Sequence, residues 1–65
     1  MDEPLLQFFK YKHLPEQLQG ISKPFGELAV HIVEILPRNS ERTKALDRLI
    51  EAKDAAVRAG VYKQN

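Results

Sequence analysis

The chain has 65 residues and a mass of 7.5 kDa, and it contains no cysteine and no tryptophan. It is therefore one domain at most, and disulfides and thiolate metal sites are excluded. Ten Lys and Arg against nine Asp and Glu give a net charge of +1, which argues against a duplex-DNA binder. A chain this short buries only about 60% of its unfolded surface, so we expect regular helix packing and self-association to stabilise it.

No apolar run approaches the roughly 20 residues of a membrane span. Two histidines, His13 and His31, are too few for a zinc site without carboxylates. The first residues, Met1-Asp2-Glu3, are acidic where a signal peptide would be basic. Together with the absence of cysteine, this pattern predicts a cytosolic protein.

The first predicted element is a short helix over residues 3–10. Pro4 suits the first helical position, and Glu3 suits the positive end of a helix. Such a segment is too short to be stable alone, so its apolar side chains must dock on the rest of the chain. Residues 11–14 form a connector, because Leu14 precedes Pro15 and is disfavoured in a helix.

The second predicted helix covers about residues 15–36. Its apolar positions are spaced by three and four residues, and they are Leu18, Ile21, Phe25, Leu28, Ile32 and Ile35 or Leu36. The stripe runs through Pro24, which predicts either a kink or a break at which Ser22 serves as a local cap.

The third predicted helix covers about residues 40–60, with Ser40 as its cap and Gly60 as its stop. Asp54 and Arg58 are spaced to form an ion pair along it. One side carries Leu46, Leu49, Ile50, Ala56 and Val57.

The predicted fold is therefore all-α, a single domain over residues 1–65 with a short N-terminal helix followed by an antiparallel helical hairpin. A two-helix hairpin has one seam, and the apolar residues exceed what one seam can cover. We expect a second apolar face to meet another copy of the chain in a symmetric homo-oligomer. The residues in excess are Phe8, Phe9, Val30, Val33, Leu36 and Val61.

The sequence makes no case for an enzyme and implies no cofactor. It has no nucleophile motif, and its three glycines form no phosphate-binding loop. The two serines lie at positions where a side chain can cap a helix. The carboxylates of the predicted helices are interpreted as solvent-exposed groups.

Candidate binding residues lie on the connector and beside Pro24. Tyr11 offers a stacking surface for a nucleobase, and Lys12 could meet a phosphate. The alternative is that Tyr11 packs beneath the short helix while Lys12 is solvated. Lys23 could meet an anion at a kink, or it could be a solvated lysine.

Basic residues of the third helix form a second candidate group. Lys53 falls near the apolar seam, where a lysine can extend its ammonium group to the solvent. If a symmetry axis lies nearby, copies of Lys53 or Arg58 would form a positive ring that a polyanion relieves. The alternative is that each residue is solvated singly. His31, between Val30 and Ile32, is interpreted as a histidine that forms a hydrogen bond at an interface rather than as a ligand-binding residue.

Four segments, YKHLPE at 11–16, SKPF at 22–25, LPRN at 36–39 and EAKDAAVRA at 51–59, resemble small phage proteins of the anti-CBASS sponge family. The same helical-hairpin domain occurs in a Thoeris anti-defence sponge. The resemblance covers about residues 8 to 60.

The resemblance implies a non-catalytic hexamer, built as two trimers, that holds cyclic nucleotide immune messengers in the host bacterial cytoplasm. It implies a dinucleotide pocket between protomers that uses a tyrosine, matched by Tyr11, and a lysine, for which Lys23 is the candidate. It implies a trinucleotide pocket near the threefold axis, for which Arg58 is the candidate with Arg48 and Lys53 as rivals. Cyclic GMP-AMP-like dinucleotides, cyclic tri-AMP-like trinucleotides and cyclic ADP-ribose isomers are the expected ligands, and the sequence does not rank them.

A different class of function stays open beside this one. A small structural or regulatory adaptor could bind a protein partner through Phe8 and Phe9. A DNA-binding helix-turn-helix is disfavoured by the near-neutral charge and the missing third core helix.

Overall fold

The computed structural model describes residues 3–61, and its elements follow in simple order. A 3₁₀ helix spans Pro4–Phe9, α1 spans Glu16–Ile35 and α2 spans Ser40–Val61. Helices take up 81% of this described range, which contains no strand, so the all-α hairpin prediction is confirmed. The observed bounds lie within one residue of the predicted ones.

The N-terminal helix is a 3₁₀ helix that Glu3 caps. The Glu3 carboxylate accepts the Leu5 amide at 3.2 Å, and the Glu3 carbonyl accepts the Leu6 amide at 3.1 Å. Pro4 occupies the first turn, where its missing N–H leaves nothing unpaired. Phe9 is buried at the end of this helix, which docks it on the hairpin.

Helix α1 runs without a break through Pro24, so the predicted alternative of a break capped by Ser22 is wrong. The helix begins after Pro15, whose carbonyl accepts the amides of Leu18 and Gln19. Ser22 lies in the helix interior and is fully buried, and its hydroxyl has no hydrogen-bond partner among the described residues.

The buried face of α1 is displaced from the predicted stripe. Leu28, predicted to lie in the seam, is 46% exposed, whereas Ala29 is fully buried. The small side chains on the buried face let other segments approach closely. A Cβ on Gly26 would lie 3.2 Å from the Phe9 carbonyl oxygen, so the 3₁₀ helix rests on this glycine. The buried residues of α1 are Leu18, Ser22, Gly26, Ala29 and Val33.

The core lies at the end of the hairpin near the α1–α2 turn, where all three helices meet. Its buried residues are Phe9, Ala29, Val33 and Leu46. Around them pack the partly buried side chains of Leu5, Leu6, Phe25, Ile32, Leu49 and Ile50.

Asn39, rather than the predicted Ser40, caps α2. The Asn39 side-chain oxygen accepts the Arg42 amide at 2.8 Å, and its carbonyl accepts the Thr43 amide at 3.1 Å. Asparagine and serine are comparable caps, and here the cap lies one position earlier than predicted.

Arg42 is a buried cation that joins three parts of the chain. One guanidinium nitrogen, Nη2, donates to the Glu3 carboxylate at 2.6 Å, and the two side chains are only 6% and 8% exposed. The other, Nη1, donates to the carbonyls of Val33 and Leu36 at the end of α1. The Leu5 amide, and after it Arg42, hold the pKa of Glu3 below its ordinary value.

Two further predictions about α2 are wrong. Asp54 pairs with Lys53 at 2.7 Å, and Arg58 makes no ion pair within residues 3–61. Gly60 does not stop the helix, which continues to Val61. Gly60 lies at a helix contact instead, since a Cβ there would press on the Ile21 side chain.

Several large apolar side chains remain on the surface of the described chain. Phe9 and Val33, predicted to be in excess, are buried within the chain. The exposed ones are Phe8, Leu28, Val30, Ile35, Leu36 and Val61. Neither long helix within residues 3–61 has an apolar stretch sufficient to cross a membrane.

Candidate functional site

Two open grooves flank the N-terminal segment. The first groove has a volume of about 790 Å³ and lies between this segment and α1. It is lined by Leu6, Phe9, Lys10, Tyr11, Lys12, His13, Gly26, Glu27 and Val30. The second groove, of about 420 Å³, lies between the segment and α2. It is lined by Gln7, Phe8, Lys10, His13, Leu14, Lys53, Asp54, Val57 and Arg58.

The structure separates the predicted binding residues into three sets. Tyr11 and Lys12 line the first groove, whereas Lys53 and Arg58 line the second. Arg48 and Lys23 line neither. Arg48 is exposed and pairs with Glu51 at 3.4 Å.

Lys23 lies next to the first groove on α1. It precedes Glu27 by four residues and Val30 by seven, and both of these line the groove. Residues at this spacing share one face of a helix. Lys23 is exposed, so its flexible side chain extends from the same face one turn away from the groove.

Tyr11 is half-buried. This exposure is intermediate between the two alternatives that the sequence left open, a ring exposed for stacking and a ring packed beneath the short helix. Leu6 and Phe9 of the short helix line the same groove, so apolar side chains border the space that Tyr11 also borders. Since Tyr11 also borders the open groove, a planar ligand can reach it there.

The cations of this protein differ in whether a carboxylate neutralises them. Arg42, Lys44, Arg48 and Lys53 each pair with an acidic side chain. Within residues 3–61, Lys10, Lys12, Lys23 and Arg58 make no ion pair. Three of these four line a groove, so the unneutralised positive charge is concentrated there.

The first groove is basic on balance. Lys10 and Lys12 face a single carboxylate among the lining residues, that of Glu27. In the second groove Asp54 is engaged by Lys53, which leaves Lys10 and Arg58 for an anion. Both grooves therefore favour anionic ligands.

The connector that carries Tyr11 has a defined backbone. The Leu14 amide donates to the Tyr11 carbonyl at 3.0 Å, which closes a turn. The Gln19 side-chain amide donates to the carbonyls of Leu14 at 2.8 Å and of Lys12 at 3.3 Å. These bonds fix the residues on either side of His13.

The sequence placed His13 on the candidate connector with Tyr11 and Lys12, but it did not predict a role for Lys10, Gln19 or Arg42. Lys10 directly precedes the basic and aromatic run that begins at Tyr11, and that run was the available signal. Gln19 gives only a weak signal, a polar side chain one turn after Pro15.

In the described part of the chain, no group of histidine and acidic residues could hold a metal ion.

No protein-family model matches the chain, and no curated protein and no solved structure is significantly similar to it.

Proposed function

We propose that this protein is a phage anti-defence protein that binds and sequesters cyclic oligonucleotide immune messengers without cleaving them. The observation that carries the proposal is the first groove, where Tyr11 lies beside Lys10 and Lys12, two lysines without an ion pair in residues 3–61. The resemblance of segments 11–16, 22–25, 36–39 and 51–59 to sponge proteins supplies the biological context: host bacterial cytoplasm, and no cofactor.

A cyclic dinucleotide presents two bases and two phosphates, and the first groove offers matching chemistry. Stacking of one base on an aromatic ring contributes about 1–3 kcal/mol. The groove volume of about 790 Å³ falls in the range of roughly 300–1,000 Å³ that small-molecule sites occupy. Lys10 and Lys12 are positioned for the phosphates. Sequestration requires affinity alone, and an aromatic ring with two cations supplies it.

The second groove is the proposed site for cyclic trinucleotides. Arg58 has no ion pair with a described residue and is therefore the leading phosphate contact there, while Lys53 shares its charge with Asp54. Arg48 becomes a weaker rival because it lies outside the groove and pairs with Glu51.

Self-association is part of the proposal, with a hexamer as the expected assembly. Copies of the chain would close the open first groove and, at a second contact on the opposite side of α1, cover exposed apolar residues such as Leu28 and Ile35. Lys23, one turn from the groove, then serves as a further phosphate contact in a pocket shared by two copies.

The deciding experiment measures ligand binding to Tyr11→Ala and to Tyr11→Phe by calorimetry. We expect Tyr11→Phe to bind 3′,3′-cyclic GMP-AMP almost as tightly as the original chain, because the stacking ring remains. Tyr11→Ala should lose at least tenfold in affinity. Heating the complex should release intact nucleotide. Equal affinities for all three proteins would remove Tyr11 from the pocket, and a hydrolysed ligand would contradict sequestration.

A protein-binding adaptor is the second candidate, and exposed Phe8 favours it, since its side chain is 50% exposed. Phe9 is buried and is not available to a partner, which weakens the two-phenylalanine surface expected from the sequence. A thermal-shift screen with cyclic dinucleotides, cyclic trinucleotides and cyclic ADP-ribose isomers separates the two candidates. No shift with any of them would favour the adaptor.

A further inference from the structure

We infer that Gln19 is a positioning residue for the first groove, which holds the connector so that Tyr11 and Lys12 face a ligand. The expected effect of Gln19 on nucleotide binding rests on the proposed function. The effect of Gln19 on the order of the connector backbone can be tested without any ligand. Gln19 lies on α1 and does not line either groove. Its effect on binding would therefore pass entirely through the connector.

The geometry is specific to this side chain. The Gln19 amide nitrogen, Nε2, reaches the Leu14 carbonyl at 2.8 Å and the Lys12 carbonyl at 3.3 Å. A primary amide has two N–H donors, and one nitrogen can therefore serve two carbonyls. Gln19 is half-buried and its bond to the Leu14 carbonyl is partly buried, so water replaces that bond less readily than it replaces the exposed bond to Lys12.

The two carbonyls belong to a segment that has few other bonds to hold it. Residues 10–15 contain no regular secondary structure, and a single backbone bond from Leu14 to Tyr11 closes their turn. Pro15 has no amide hydrogen and cannot donate to a neighbour. Among the described residues, the Gln19 amide is therefore the side-chain hydrogen-bond donor that joins this turn to α1.

The turn sets the direction of the ligand-facing side chains. Lys12 and Leu14 are anchored through their carbonyls, and Tyr11 accepts the bond that closes the turn. Once these bonds are lost, the connector gains backbone freedom, and a ligand must order it again on binding. Removal of the Gln19 amide should thus weaken binding without removing any group that touches the ligand.

The test compares Gln19→Leu with Gln17→Leu, a matched control on the same helix. Gln17 is exposed and makes no hydrogen bond with a described residue. The first readout is amide hydrogen exchange at Leu14, and the second is affinity for 3′,3′-cyclic GMP-AMP. We expect Gln19→Leu to speed exchange at Leu14 and to weaken binding, each by about five- to tenfold, and we expect Gln17→Leu to change neither.

A second pair, Gln19→Glu and Gln17→Glu, covers the case in which Gln19→Leu does not fold. The Gln19→Glu carboxylate keeps the side-chain size but presents acceptors to two carbonyls, so exchange at Leu14 should again accelerate. Gln17→Glu reports the effect of the added negative charge alone on binding. Circular dichroism shows whether each variant keeps its helices.

A double-mutant cycle with Tyr11→Ala distinguishes positioning from general loss of stability. If Gln19 acts through the connector, Gln19→Leu should cost less affinity in the Tyr11→Ala background than in the original chain, and the loss that remains passes through Lys12. Fully additive losses would contradict positioning, as would unchanged exchange at Leu14. If exchange accelerates as expected but the original chain binds none of the nucleotides, the positioning role stands and the proposed function fails.

Discussion

Arg42 shows how one buried side chain can join segments that are far apart in sequence. Its guanidinium contacts Glu3, 39 positions earlier, and also two carbonyls at the end of α1. Those carbonyls lack amide partners within the helix, so a cation there satisfies them and also interacts favourably with the helix dipole. The planar fork of arginine suits several acceptors at once, and lysine would not replace it well.

The first prediction concerns the pH dependence of stability. The folded-state pKa of Glu3 lies below its ordinary value of 4.5, chiefly because its carboxylate accepts the Leu5 amide and pairs with Arg42. Its contribution to stability is therefore present above about pH 4.5 and is lost as the pH falls through the lowered pKa. We expect Glu3→Gln to flatten the decline of the denaturation midpoint below that pH.

The control for this experiment is Glu34→Gln, because Glu34 is exposed and makes no ion pair in the described part of the chain. The original chain and Glu34→Gln should show the same acid slope, measured by urea denaturation between about pH 3 and pH 7. An unchanged slope in Glu3→Gln would mean that other carboxylates carry the acid sensitivity.

At the scale of elements, two glycines inside α1 have opposite surroundings. A Cβ on Gly20 would meet nothing within 4 Å, whereas one on Gly26 would meet the Phe9 carbonyl oxygen at 3.2 Å. Neither glycine has a positive φ, so both positions accept alanine in their present backbone conformation. Alanine substitution at Gly20 therefore measures helix propensity alone, whereas substitution at Gly26 measures helix propensity together with packing against the 3₁₀ helix.

The second prediction compares these two positions. Gly20→Ala should raise the free energy of unfolding by about 1 kcal/mol, because alanine is the better helix former and has room there. Gly26→Ala should give a smaller gain or a loss, because the 3₁₀ helix must move outward. Chemical denaturation of both variants measures the difference, and equal gains would show that the 3₁₀ helix yields without cost.

Nucleotide binding adds a readout to the same pair. Outward movement of the 3₁₀ helix would displace the wall of the first groove, so Gly26→Ala should also bind 3′,3′-cyclic GMP-AMP more weakly than Gly20→Ala. Equal binding by both variants would show that the groove tolerates this displacement.

The sequence predicted the elements well and their contacts less well. Apolar spacing and the prolines located three helices to within one residue, because these signals are local. The apolar spacing predicts a displaced buried face for α1, because it selects large apolar residues for the seam. Gly26 and Ala29 form the contact instead, since close packing of the 3₁₀ helix requires small side chains. Such a choice depends on the partner segment and leaves no periodic signal.

The candidate site was predicted in part for the same reason. The run from Tyr11 to His13 identified the connector from its composition alone. Which cations stay without an ion pair depends on side-chain geometry, and Asp54 selected Lys53 rather than Arg58. The bonds from Gln19 back to the connector depend on how the turn before α1 folds, which one sequence does not reveal.

At the scale of the whole molecule, the described chain is long and thin, with extents of 42 × 20 × 15 Å. A helix with its side chains is about 10–12 Å across, so two helices and a short segment cannot enclose every apolar side chain. Ile35 is 59% exposed and Leu28 is 46% exposed, and neither lines a groove. Exposed apolar surface of this kind is typical of an interface.

The last prediction is that the protein assembles through this surface. Light scattering during gel filtration should give a mass of about six times the 7.5 kDa chain. The double variant Leu28→Gln with Ile35→Gln should lower the measured mass. Association would then bury polar side chains in place of apolar ones, and it would lose much of the hydrophobic free energy that drives it. Glu34→Gln, an exposed polar change on the same helix, should leave the mass unaltered. A chain that stays monomeric at every concentration would contradict the shared pocket, and binding would then have to arise from the two grooves of a single copy.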